Sequence, residues 1–256
     1  MFFYNPIGFL TLTGREIKRF MKVYIQTIIA PLLTNMLFLG VFGGMFKTRQ
    51  LGIEGVDYLS FLVPGLCAMG AIMSAYQNPS SSIIIQKYQN TIQDLNAYPI
   101  THFEKLMAFL IGGTVRGIMV GVLTYISTIY FVGYHIEYPL LFLLMLFLIS
   151  LISSACGVIV GLVFHDFDKM SFILTIILTP MVYFGGVFFE LSKLPSVLSY
   201  LIYINPLFPM VDLLRYSYLG ILEGNMLFNI SMISFLAILT ITSSYFLFKK
   251  GVGLKY

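Results

Sequence analysis

Six long apolar runs constrain this chain more than any other feature. They fall near residues 23–46, 58–78, 105–132, 138–164, 169–189 and 226–248. An α-helix needs about 20 apolar residues to cross the hydrocarbon of a bilayer, about 30 Å thick. In that medium every backbone polar group must find its partner within the segment, so such runs read as helices. Composition agrees. Hydrophobic residues are 58% of the 256 and charged residues 10%, with a mean hydropathy of +0.90, too little polar surface for a soluble domain. The expectation is an all-α integral membrane protein of six spans, forming one transmembrane domain over 1–256.

Lys and Arg set the orientation. With the N-terminus inside, Arg15, Lys18, Arg19, Lys22, Lys87, Lys105, Lys169, Lys249, Lys250 and Lys255 lie on the cytoplasmic side. Lys47, Arg49, Lys193 and Arg215 lie outside, and Arg116 sits within a span. Ten against four places both termini in the cytoplasm. The first 22 residues lack an apolar core or small-residue cleavage site, so the first span itself directs the chain to the membrane. Cys67 and Cys156 lie in apolar runs and read as small hydrophobes, while His102, His135 and His165 lack metal-ligand spacing.

Four features stand apart from the spans. Before the first, Ile17, Phe20, Met21 and Tyr24 follow helical spacing. Arg15, Lys18, Arg19 and Lys22 repeat it about 200° around the helix. Residues 1–22 thus read as an interface helix in the cytoplasmic headgroup layer, or as a plain positive anchor, with Glu16 among its bases. Between spans two and three, "QKYQNTIQDLNAYPIT" exceeds a tight turn. Tyr88, Ile92 and Leu95 recur at roughly helical spacing and Pro99 ends the pattern. Its polar side carries Asn and Gln rather than bases, which favours docking on a soluble partner over resting on lipid.

In the third span Gly113, Gly117 and Gly121 share one face, and Gly157 and Gly161 do the same in the fourth. Small residues spaced by four let helices approach closely, within one chain or between two. Arg116 lies in that third span; it is a functional candidate or a side chain reaching for water. Before the last span, "YINPLFPMVDLLRYSYLG" splits a long outer connection into two short pieces, 191–203 and 207–220. At about 20 Å as a helix each, neither crosses the membrane. Residues 190–221 read as a re-entrant hairpin turning at Asn205 and Pro206, or as a surface segment. Asp212 and Arg215, three apart, are placed to neutralise each other.

The order of these parts resembles the ABC-2 type permease family, the membrane subunits of many bacterial ABC exporters. "INPLFPMVDLLRYSYLG", "YLSFLVPGLCAMGAIMSAYQNPSSS", "NTIQDLNAYPIT" and "LTPMVYFGGVFFELSKLP" carry the likeness, which covers nearly the whole chain. The resemblance implies a pair of permease subunits in the bacterial cytoplasmic (inner) membrane, above two separate cytoplasmic ATPases. Residues 86–99 would be the coupling helix, with Tyr88, Gln93, Asp94 and Leu95 in the contact and Glu16 contributing from the N-terminal helix. The hairpin would line or close the outer exit. Spans one and five would meet their symmetry mates, where "FGGMF" and "FGGVF" end them.

The chain has no G-x-x-x-x-G-K-S/T loop, so the expected role is a transport subunit and not an enzyme, with ATP and Mg held by the partner. No cofactor of its own and no nucleic-acid partner are expected. Few charges line the spans and aromatics are frequent, which leans toward an amphipathic, lipid-linked or drug-like cargo. A stand-alone channel or ion-driven carrier is the main rival; such proteins place acidic or paired ionisable groups at mid-membrane. A membrane enzyme would rest on His165, Asp166 and Asp168, which read better as a polar turn.

Overall fold

The computed structural model describes residues 5–46, 56–191, 202 and 204–254, and among them the regular elements are all helices. Helix α1 is Pro6–Lys22; α2 opens with a π-wound turn, Ile25–Ile29, and continues as Ala30–Phe46. Next come α3 (Tyr58–Tyr88), the short α4 (Ile92–Ala97), α5 (His102–Val132) and α6 (Pro139–Val163). Helix α7 (Phe167–Val187) mixes α and π turns, and α8 (Phe208–Leu219) and α9 (Met226–Lys250) complete the chain. Six of these, α2, α3, α5, α6, α7 and α9, are long and apolar enough to cross a membrane.

The centre of the molecule is α3. Its most apolar window is 83% buried, against 22% for α2 and α7 and 17% for α9, so those three are peripheral. Glycine is what lets α5 and α6 close on α3. A Cβ at Gly117 would lie 2.5 Å from Ser150 Oγ and 2.8 Å from Ala75 Cβ. At Gly121 it would lie 2.8 Å from Leu146 Cδ2, and at Gly113 it would strike Ser154 Oγ. Gly157 and Gly161 of α6 are closed off in the same way by Tyr76 O and Ile83 of α3. These stripes therefore pack helices of one chain together, which makes van der Waals contact the main glue where lipid offers no hydrophobic drive. Asn35 adds a polar tie, donating to Leu66 O at 3.3 Å and Thr124 Oγ1 at 3.0 Å.

Two span ends differ from the sequence expectation. The second span does not stop at 78 but runs unbroken through Pro79 to Tyr88. Polar side chains fold back on the helix there: Ser80 Oγ donates to Tyr76 O and Gln86 Nε2 to Ser82 O, so the run is compatible with burial. The third span begins at His102, fixed by a capping box between Thr101 and Glu104. At 31 residues each, α3 and α5 are about 46 Å long and must project beyond the hydrocarbon.

The first and last described residues lie at one face. Asn5 N–H donates to Glu104 Oε1 at 2.7 Å, and Leu254 is buried beside Lys87 and the foot of α6. We call this the terminal face. Helix α8 lies at the opposite face, called the hairpin face after the segment expected there from the sequence, where Tyr138 N–H donates to Ser217 O at 2.9 Å.

Candidate functional site

Two polar assemblies punctuate the apolar body, one at each face. At the terminal face α1 lies against α5, burying Leu12, Thr13, Glu16 and Phe20. Of the apolar stripe expected from the sequence, only Phe20 is fully inside; Met21 is exposed, and Tyr24 lies beyond the helix end. Glu16 takes the inward place instead. A glycine makes room for it: a Cβ at Gly112 would lie 2.8 Å from Glu16 Cβ. Its carboxylate accepts from Arg15 at 3.2 Å and Arg19 at 3.4 Å.

Arg19 continues the chain of contacts, donating to Asn78 O at 2.6 Å and Asn78 Oδ1 at 2.8 Å. Burial lowers its pKa below the ordinary guanidinium value, with Glu16 opposing the shift. Arg116 is only 5% exposed and donates to Gln77 Oε1 at 3.4 Å, so it is held within the bundle rather than reaching to water. Glu16 is thus buried and engaged by Arg15 and Arg19 of its own helix, at the edge of the cleft described next.

The expected coupling segment 86–99 divides in two. Gln86, Lys87 and Tyr88 end α3, and Lys87 caps α6 by donating to Leu162 O at 2.5 Å and Phe164 O at 3.0 Å. Asn90, at φ 57°, breaks the helix, and α4 follows as its own six residues. Ile92 and Leu95 are buried and anchor α4, which corrects the grouping of Tyr88 with them, since Tyr88 is 80% exposed. Gln93 and Asp94 face outward. Between α1 and the α3–α4 junction runs a cleft of about 940 Å³, lined by Arg15, Lys18 and Lys22 on one wall and Gln89, Asp94 and Tyr98 on the other.

At the hairpin face, α8 is buried on nearly every side, from Phe208 to Tyr218. The first hairpin piece falls almost entirely outside the described residues. Asn205 holds the turn: its Nδ2 donates to Met181 O at 2.6 Å, and its Oδ1 accepts from Leu207 N–H at 3.0 Å. Pro206 follows it in that turn, half-buried.

Asp212 and Arg215 are both fully buried, but no hydrogen bond or ion pair joins them. Asp212 accepts from Glu223 N–H at 3.0 Å, Gly224 N–H at 2.9 Å and Asn229 Nδ2 at 2.7 Å. Arg215 pairs with Glu223 at 2.7 Å, donates to Gly186 O at 2.5 Å and stacks over Phe61 at 3.8 Å. Glu223 also accepts from Leu191 N–H at 2.6 Å. Burial pushes the Glu223 carboxyl up, against the lowering pull of Arg215. One buried network thus ties α8 to α7, α3 and the start of α9. Sequence reasoning missed Glu223 and Asn229; the lone acid in "ILEGNM" was the available signal. Among the described residues, both assemblies tie helices to one another.

Comparison with known proteins places this geometry. The chain is 30% identical to the inner membrane transport permease YadH of Escherichia coli, over 97% of both chains. It is 22% identical to nodulation protein J of Sinorhizobium fredii, over 92% of this chain and 90% of that one. Nodulation protein J of Rhizobium meliloti is also 22% identical, over 84% of this chain and 83% of its own. The family model for the ABC-2 type transporter matches residues 8–219, from the first helix through the end of α8. With six apolar helices in one bundle, a transport permease in lineage and build, the chain belongs to the ABC-2 type transporter family.

Proposed function

We propose that this chain is the membrane subunit of an ABC exporter, driven by a separate ATPase that docks on the terminal face. The observation that carries the reading is α4. Its buried Ile92 and Leu95 fix it between the feet of α3 and α5, while Gln93, Asp94 and Tyr98 are presented outward beside the cleft. A push on such an element is delivered to the two longest helices of the bundle at once. The basic wall of α1 offers a second contact, and its burial through Phe20, Glu16 and Arg19 makes it move with the bundle.

In this reading the terminal face is cytoplasmic, as the Lys and Arg asymmetry argues. Nucleotide-driven closure of the ATPase pair tilts the spans, and α8, as the inner limb of a re-entrant hairpin, lines or closes the outer exit. Two copies pair through α2 and α7, whose ends are joined by Phe38, Phe42, Tyr183 and Phe188 and whose outer sides expose Leu33, Leu37 and Ile176. The cargo is amphipathic, lipid-linked or drug-like, moved outward.

The test is co-purification from the native membrane. A Walker-motif ATPase is expected with the wild type and lost, or retained at about one tenth or less, with Asp94→Arg, which reverses the charge at an exposed contact. Equal recovery with both would remove Asp94 from the interface. No ATPase with either would favour the channel or carrier reading.

A further inference from the structure

A buried cation in the third span has no acid to meet it. Arg116 is almost fully buried, and among the described residues it forms no ion pair. The 3.4 Å contact from its Nη2 to Gln77 Oε1 is longer than an ordinary hydrogen bond, and its Nε has no protein partner. The carboxylate one helical turn away, Glu16 against Gly112, is already shared by Arg15 and Arg19.

The register of α3 against α5 brings other donors to the same place. The two helices run antiparallel: a Cβ at Gly70 would lie 3.1 Å from Val120 Cγ1, and one at Gly112 would lie 3.2 Å from Asn78 Nδ2. That register sets Ser74 opposite Arg116, with Asn78 one turn further along α3. Side chains on a helix lean toward its N-terminus. Arg116 therefore leans toward the level of Gly112, while Asn78 on the opposed helix leans back toward Ser74. Ser74 Oγ and Asn78 Nδ2 are likewise buried and without a protein partner. A guanidinium, an amide and a hydroxyl thus share one seam, all able to donate.

A guanidinium held inside a membrane protein without a counter-charge is costly. An anion accepting its hydrogen bonds and those of its neighbours relieves that cost. Packing sets the size of the anion. Gly112 and Gly117 flank Arg116 on α5; a Cβ at the first would lie 2.8 Å from Glu16 Cβ and at the second 2.5 Å from Ser150 Oγ. Helices that close leave no room for a bulky headgroup. A route from solvent passes through Arg19, which lines the cleft at the terminal face, is 29% exposed at its side chain, and donates to Asn78 Oδ1 at its inner end. We propose that Arg116, Asn78 and Ser74 hold one chloride-sized anion in the seam between α3 and α5. Bound there, it cancels the charge of the third span and ties the two longest helices together.

The test is a thermal melt of the purified protein in detergent, with sodium chloride replacing sodium gluconate at fixed ionic strength. The wild type is expected to melt higher as chloride rises, along a saturating curve. Arg116→Gln is expected to lose that dependence, its chloride affinity falling about tenfold or more. In gluconate it should melt no lower than the wild type, because it removes a stranded charge. Lys22→Gln, an exposed charge at the end of α1, is expected to keep the wild-type affinity within about twofold. Line broadening in chloride NMR, by the wild type and not by Arg116→Gln, reads the binding directly. If Arg116→Gln is not recovered folded, Ser74→Ala carries the test, keeping the charge and weakening chloride about threefold or more. No chloride dependence in the wild type, or an unchanged curve in the variant that carries the test, would overturn the proposal. Equal stabilisation by inorganic phosphate would also overturn it, by showing an effect not limited to a small anion.

Discussion

Arg215→Met is expected to be the most damaging single substitution at the hairpin face. The guanidinium is wholly buried and pairs with Glu223 at 2.7 Å. Removing it leaves a carboxylate in a low-dielectric site without its cation, at a cost of about 3–5 kcal/mol. Methionine keeps most of the apolar stem over Phe61 but loses the tie to Gly186 O at 2.5 Å. A double-mutant cycle separates charge from packing. Glu223→Gln alone strands the arginine, yet adding it to Arg215→Met removes the orphan charge while its amide oxygen still accepts from Leu191. Melting temperatures in detergent should show the double variant less destabilised than the sum of the singles, with coupling of about 1–3 kcal/mol. Strict additivity would mean that Arg215 and Glu223 are not energetically paired.

Gly117→Leu is expected to be comparably severe for a different reason. Its Cβ would sit 2.5 Å from Ser150 Oγ and 2.8 Å from Ala75 Cβ, with α3 on one side and α6 on the other. Neither helix can yield without reopening contacts along its length, so the cost should exceed the ~1–3 kcal/mol of ordinary overpacking. The expected result is aggregated or unrecoverable protein on size-exclusion chromatography. Gly14→Ala in α1 is the control, because a Cβ there meets nothing within 4 Å. Alanine is the better helix former by about 1 kcal/mol, so this variant should be recovered at or above wild-type stability. Normal recovery of Gly117→Leu would show that the three central helices are less tightly closed than described.

The spans were legible because length and hydropathy alone decide what can cross a bilayer. Their ends were less so. Pro79 and the serines after it look like a stop, and they are absorbed because the serine hydroxyls bond to helix carbonyls, a contact that local pattern does not reveal. The N-terminal helix misled for a related reason. Its apolar spacing pointed to Ile17, Phe20, Met21 and Tyr24, but a glycine on α5 gives the inward place to Glu16. Which face of a helix is buried depends on the surface it meets, and that surface is 96 residues away in the chain at Gly112 (112 minus 16).

The segment before the last span shows the same limit in its charges. Asp212 and Arg215 were recognised as special, yet their three-residue spacing suggested a mutual pair. The actual partners, Glu223, Gly224 and Asn229, arrive only after the chain turns at Gly220 and enters α9. Local spacing named the residues and tertiary structure chose their partners. On α4 the polar Gln93 and Asp94 are exposed, whereas Leu95, expected from the resemblance to share their contact, is buried with Ile92 in the chain's own core.

The central claim is that α4 transmits force from a partner ATPase. It is tested most directly by a photo-crosslinking amino acid at Gln93, an exposed position next to the buried anchor Ile92. Irradiated in intact cells, this site should give one adduct whose partner is a Walker-motif ATPase by mass spectrometry, and the same group at Leu227, exposed at the opposite end of the bundle, should give none. Adducts only with lipid or with the permease itself at Gln93 would contradict the account.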